Sequence, residues 1–436
     1  MTYFPEIAAP IPYEGPESDN PLAFRYYDAD QMVGGKTMSQ HLRFAVAYWH
    51  TMKGTGQDPF GGPVYQRPWN HGSSPMDQAE NTLNAAFEFL TKLGVDFYCF
   101  HDRDMAPEGD TFAQSVDNLQ TMVAKAKKLQ QETGKKLLWG TANLFGHRRY
   151  IHGAATNPDP HVFACAALQV KHALEATLEL GGENYVFWGG REGYETLLNT
   201  DLKREREQLA RFFHMAVDHA KKIGFSGQFL IEPKPKEPTK HQYDFDSATV
   251  IGFLREFDLL DHFKLNIEAN HATLAAHSFE HDLTTAAAAG VLGSIDANMG
   301  DLLLGWDTDQ FPTDVNSMTR AMLVLLASGG FTSGGLNFDA HVRRASLDTL
   351  DLFYAHIDGM DTFARALLAA HAIIEDGRIP EFTAQRYAGW DKDLGASILA
   401  GKESLDSLAT WILDKDEPQV PSGRQEYLER ILNFFI

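Results

Sequence analysis

Residues 263–298 read FKLNIEANHATLAAHSFEHDLTTAAAAGVLGSIDAN. Two short apolar runs, FKLNIEAN and LGSIDAN, flank a helix-like segment, and the runs carry Glu268 and Asp296 where their apolar character ends. Continuously apolar strands that alternate with helices call for a parallel sheet covered on both faces. The same unit recurs outward in both directions. LRFAVAYWH (42–50), VDFYCFHD (95–102), KLLWGTAN (136–143), NYVFWGG (184–190) and QFLIEPK (228–234) precede it, and GLNFDAHV (335–342) follows. Eight such units predict an α/β fold of the closed (β/α)8 type, a TIM barrel. An open doubly wound sheet is the second reading. Against it, no G-x-G-x-x-G follows the first run, and the segment from Gly395 to Gly401-Lys402 misses phosphate-loop spacing by one residue.

The punctuation between runs supports helices. Ser74-Pro75 places an N-cap before a proline at the first helical position; apolar Ala79, Leu83, Ala86, Phe87, Leu90 and Leu93 follow, and Gly94 ends the pattern. Asp246 stands before Val250, Ile251, Leu254 and Phe257, and Asp314 before Val315, Met318, Met322 and Leu325. The pattern therefore predicts a barrel over residues 41–376, with an N-terminal extension at 1–40 and a C-terminal helical arm at 377–436. The arm carries apolar helical pieces, SLDSLATWILDK and QEYLERILNFFI, that need a surface to cover them. That surface is either a neighbouring subunit or the arm's own barrel.

Composition narrows the function. Of 436 residues, 44% are hydrophobic and 22% charged, which supports a globular core. The net charge of −21 opposes nucleic-acid binding, which needs Lys and Arg against phosphates. No apolar run is long enough to span a membrane, and the first residues lack the basic start and apolar stretch of a secretory leader, so the expected location is the cytoplasm. Cys99 and Cys165, both in apolar contexts, suit buried free thiols and leave no cysteine metal site.

Function in a parallel barrel gathers where strands run into their following loops. There the last four runs supply Glu232, Glu268, Asp296 and Asp339. One such acid reads as a helix N-cap. Four in succession converge, and like charges gathered in a barrel mouth cost several kcal/mol unless cations neutralise them. Asp307 and Asp309 in GWDTDQF add two carboxylates whose i, i+2 spacing points them the same way in extended chain, and His271 stands three residues beyond Glu268. With Lys234, two divalent ions would bring the set close to neutrality. Oxygen ligands with one imidazole suit Mg²⁺ or Mn²⁺, with Co²⁺ an alternative. His101 and Asp104 resemble a base and its orienting acid. Trp49, Trp139, Phe145 and Trp188 offer an apolar wall, and the long 49–73 loop carries Phe60 between Pro59 and Gly61.

These residues closely resemble the xylose isomerase family along the whole chain. The most specific motifs are FHDRDMAP at 100–107 and IEPKPKEP at 231–238, and the long N-terminal segment matches the longer of the family's two classes. The resemblance implies a metal-dependent aldose–ketose isomerase, converting D-xylose to D-xylulose and also D-glucose to D-fructose, that works as a homotetramer built through its C-terminal arm. One metal would take Glu232, Glu268, Asp296 and Asp339, and the other Glu268, His271, Asp307 and Asp309. His101 with Asp104 would open the sugar ring, and Lys234 would contact the carbonyl oxygen. Trp188 and Thr141 would line the pocket, and Phe60 would reach it from a neighbouring subunit. The resemblance favours a 1,2-hydride shift over an enediol route. Two other classes stand beside this reading: a metal-dependent nuclease, which calls for several histidine ligands and a basic groove, and a non-catalytic cation-binding scaffold, which leaves Lys234, His101 and Asp104 without a role.

Overall fold

The computed structural model describes residues 2–436. Each of the eight apolar runs contains one barrel strand: β1 (Phe44–Ala47), β2 (Phe97–His101), β3 (Lys136–Thr141), β4 (Asn184–Trp188), β5 (Gln228–Glu232), β6 (Phe263–Glu268), β7 (Leu292–Asp296) and β8 (Leu336–Phe338). All pair in parallel with their chain neighbours, and β8 pairs with β1 to close the barrel, so the open-sheet alternative is excluded. Ala45, Phe97, Cys99, Leu138, Trp139, Val186 and Leu230 pack together in a cluster of their own, composed entirely of barrel-strand side chains.

Eight helices complete the units: α1 (Pro75–Leu93), α2 (Phe112–Thr133), α3 (Pro160–Glu179), α4 (Leu202–Ile223), α5 (Ser247–Glu256), α6 (Phe279–Ala288), α7 (Val315–Ala327) and α8 (Thr349–Asp376). The expected caps form. The Ser74 hydroxyl accepts from Asp77 N–H and Gly94 ends α1 at φ 81°, while Asp246 and Asp314 accept from Thr249 and Asn316 N–H. Every apolar residue named for α1 is buried.

The N-terminal segment packs on the barrel. Phe4 lies against Trp69, Phe89 and Phe353, Tyr27 against Phe44, and the Asp361 carboxylate accepts the Arg25, Tyr26 and Tyr27 N–H groups. The arm behaves differently. After Gly377 it forms short helices at Arg378–Tyr387, Asp393–Leu399, Leu405–Ile412 and Gln425–Leu432. Of its large apolar side chains only Ile431 and Leu432 are buried, whereas Leu405, Leu413 and Val420 are 88%, 84% and 94% exposed. Its own barrel therefore does not cover it. Cys99 is buried and Cys165 only half-buried, and both thiols are free, which corrects the expectation that both lie inside.

Candidate metal centre

Strand register brings the carboxylates together. Glu268 stands opposite Asp296 in the ladder, Asp296 opposite Asn337, and Trp188 opposite Glu232, so acids at successive strand ends share one layer of the barrel mouth. Glu232, Glu268 and Asp296 are the last residues of β5, β6 and β7, and Asp339 is the first residue beyond β8. Each offers an oxygen within 4.8 Å of the others. Glu268, Asp307 and Asp309 form a second such group, so Glu268 is common to both. His271 falls with Glu232 and Glu268; its Nδ1 lies 3.1 Å from Glu268 Oε2 and its Nε2 3.4 Å from Asp307 Oδ2.

The loop carrying Asp307 and Asp309 converges for a reason other than the expected one. The stretch is not regularly extended, since Asp309 sits at φ 41°, in the left-handed region that aspartate tolerates better than most residues, and both acids lie beside Glu268. Lys234 is buried and ion-pairs with Asp307, and its ammonium lies 5.3 Å from the Trp188 ring. Burial alone would depress its pKa; the facing charges of Asp307, Asp309 and Glu268 outweigh that and raise it.

His101 Nδ1 is 2.8 Å from Asp104 Oδ2, as the sequence spacing suggested. Assigning Nδ1 as the donor leaves Nε2 as the free ring nitrogen. His101 shares a cleft of about 170 Å³ with Trp49, Trp139, Thr141, Phe145, Trp188, Lys234 and five of the acids, Glu232, Glu268, Asp307, Asp309 and Asp339, while Asp296 lies fully buried beneath it. The Thr141 hydroxyl donates to Val186 C=O at 2.6 Å and so faces any ligand as an acceptor. Trp139 lies inside β3 rather than at its end, and Trp49 lies in a short helix, Tyr48–Lys53. Phe60 is outside this cleft. It is 78% exposed and leans on Trp306, in a loop anchored by Arg344, which donates to the Gly56 and Gly62 carbonyls.

Several residues at the centre escaped sequence reading. His50 Nε2 reaches Asp339 Oδ1 at 2.9 Å and Asp309 Oδ2 at 3.3 Å, so two imidazoles stand at the centre where one was expected. Burial disfavours its charge, but hydrogen bonds to Asp309 and Asp339 prevail and its pKa rises to about 10. Trp49 Nε1 donates to Asp339 at 2.8 Å. Asparagines brace the acids: Asn298 donates to Glu268 at 2.7 Å, Asn337 to Asp296 at 2.8 Å, Asn266 to Asp296, and Asn270 to Asp307. A signal was present, because Asn266 and Asn337 precede Glu268 and Asp339 by two residues, which on a strand is the same face.

The donor set fits divalent ions. Burial first, then repulsion from neighbouring acids, holds Glu232 and Glu268 well above the usual carboxylate range and pushes Asp296 up to about 8. Asp307 and Asp339 are lowered, since Lys234 and His50 respectively overcome their burial. His271 Nδ1 is buried with no hydrogen-bond partner. Oxygen-rich groups with one imidazole are those that hard divalent ions take.

A pH dependence follows. Groups with raised folded pKa values bind more protons folded than unfolded, so stability from them is present below the unfolded pKa, about 4, and is lost as pH rises towards 8. The two lowered acids act oppositely, and their stabilising effect is lost only on acidification below about 4. Protein stripped of ions is therefore expected to melt at progressively lower temperature from about pH 5 to pH 8, and Mg²⁺ should remove the trend. A melting temperature independent of pH in the stripped protein would contradict this electrostatic account.

A closed parallel barrel with a carboxylate cluster at its strand ends that could hold cations, beside an imidazole–carboxylate pair and a buried lysine, has the make-up of a metal-dependent barrel enzyme. Comparison with known proteins specifies it. The family model described as xylose isomerase-like TIM barrel matches residues 87–301, and the XylA2 C-terminal domain matches residues 383–436. The xylose isomerase of Thermoanaerobacterium thermosaccharolyticum is 57% identical over 436 residues, covering 100% of this chain and 99% of that protein. That of Thermotoga maritima is 57% identical over 434 residues, covering 100% and 98%. The chain belongs to the xylose isomerase family. Among solved structures, a putative xylose isomerase from Rhodospirillum rubrum shares the fold, with a TM-score of 0.51 at 13% identity over 76% of this chain and 99% of that one.

Proposed function

We propose that this enzyme converts D-xylose to D-xylulose, moving the carbonyl of an open-chain aldose from C1 to C2, and that it also accepts D-glucose. The observation that carries the reading is one cleft in which His101, backed by Asp104, faces Lys234, Glu232, Glu268, Asp307, Asp309 and Asp339 across a wall of Trp49, Trp139, Phe145 and Trp188. Glu232, Glu268, Asp296 and Asp339 would hold one divalent ion, and Glu268, His271, Asp307 and Asp309 the other, with Mg²⁺ favoured over Mn²⁺ or Co²⁺. Bound ions supply charge neutralisation and Lewis-acid polarisation of the sugar oxygens.

The chain's own groups do the rest. Asp104 fixes the His101 tautomer, so Nε2 can take the proton of the anomeric hydroxyl as the ring opens. The Lys234 ammonium stabilises negative charge as it develops on the substrate oxygens. The aromatic wall excludes water from the carbons between which hydrogen moves. The test is turnover of xylose deuterated at C2, followed by NMR. Xylulose retaining the label at C1 is expected; label lost to solvent would replace direct hydrogen transfer with an enediol, and no xylulose would remove the function.

The exposed apolar side chains of the arm support a homotetramer in which each arm covers another copy. In that assembly Phe60, exposed on its loop, would complete a neighbour's cleft. Sedimentation as a monomer would contradict this. Among the described residues no helix is long and apolar enough to cross a membrane, and the free thiols accord with a cytoplasmic enzyme.

A further inference from the structure

Where the chain enters α6, outside the cleft, His277, His281 and Asp282 each offer a ligand atom within 4.8 Å of the others. We propose that these three side chains form a separate binding site for a borderline-soft divalent ion of the Zn²⁺ class, which staples the His271-bearing segment to α6.

Three observations converge. First, His277 Nδ1 and Asp282 Oδ1 are 3.3 Å apart, the separation of two ligands each about 2.0 Å from one tetrahedral ion. The His277 and His281 rings meet edge-on, 4.6 Å between centroids, and the His-x3-His spacing is one that zinc sites use. Second, the other nitrogen of His277, Nε2, lies 4.0 Å from Asp246 Oδ2. At that separation Asp246 makes no direct hydrogen bond to the ring but faces it with a negative charge, which favours a cation on His277. Asp246 is itself fixed, because its Oδ1 caps α5 through Thr249 N–H at 2.7 Å. Third, Asp282 is buried while His281 is exposed, so the group has an anchored carboxylate on one side and an entry path on the other.

The ligand types set the selectivity. Two imidazoles and one carboxylate suit Zn²⁺, Ni²⁺ or Co²⁺ and are poor for Mg²⁺, whereas the barrel mouth is dominated by oxygen. The consequence is mechanical. His277 N–H donates to Ala272 C=O at 2.9 Å, one residue from His271, so an ion on His277 would hold this turn against α6.

The experiment uses the Mg²⁺-loaded full chain, equilibrated with Zn²⁺, dialysed against Mg²⁺ and analysed for bound zinc. The native protein is expected to retain one more zinc per chain than His281→Ala. Affinity for that zinc should fall at least about tenfold in the variant. The difference should persist in a Glu268→Gln background, where the barrel mouth is disabled. Zinc should also raise the melting temperature of the native protein more than that of His281→Ala. His281→Gln, which keeps size and polarity, should reproduce both results. Equal zinc counts in native protein and variants would overturn the site, and an equal rise in melting temperature would overturn the staple.

Discussion

Glu268→Gln is expected to lower xylose isomerisation by about 10³-fold, because the carboxylate common to both ion groups loses its charge. The magnitude follows from several kcal/mol of charge stabilisation supplied by bound ions, each ~1.4 kcal/mol being tenfold in rate. Glutamine has nearly the shape of glutamate, and its carbonyl oxygen can still accept the Asn298 amide that now meets Glu268 Oε1 at 2.7 Å. The substitution also removes one of several mutually repelling buried acids. The stripped variant should therefore be at least as stable as the stripped native protein, so the loss of activity is not a loss of fold. Activity near the native level would show that Glu268 is structural.

Lys234→Met is expected to lower kcat by about 10²–10³-fold, the cost of removing one group that stabilises developing oxyanion charge in an enclosed site. Methionine keeps most of the aliphatic stem but removes the ammonium that lies over Trp188. The backbone is held independently, since Lys234 N–H donates to Asp244 C=O at 2.8 Å, and every ion ligand is retained, with Asp307 losing only its ion pair to Lys234. Bound ions should remain at the native count, and KM should move less than kcat. Steady-state kinetics decide it: an unchanged kcat would remove Lys234 from the chemistry and leave it as a partner of Asp307 alone.

The barrel was legible because every strand is a short apolar run and several helices carry cap residues that local chemistry reads without tertiary information. The acids were legible for a related reason. A carboxylate at the end of an apolar run has a defined address in a parallel barrel, and four such addresses converge. What stayed hidden lies in turns. His50 follows β1 on a short helix whose course no periodicity announces, yet it touches both Asp309 and Asp339. Asp309 reaches the centre through a left-handed backbone conformation that an extended reading of its loop does not anticipate. Phe60 illustrates the opposite limit. The sequence marks it as an aromatic on a long loop, and within the chain it leans on Trp306, outside the cleft, so its proposed place in a neighbour's cleft depends on an assembly that one chain's sequence does not describe.

The central claim is that one shared carboxylate joins two ion sites at the barrel mouth. The most direct measurement is the number of Mg²⁺ or Mn²⁺ ions retained per chain by native protein and Glu268→Gln under identical loading, read by elemental analysis. Two ions in the native protein and at most one in the variant are predicted; two in both would contradict the shared-ligand centre.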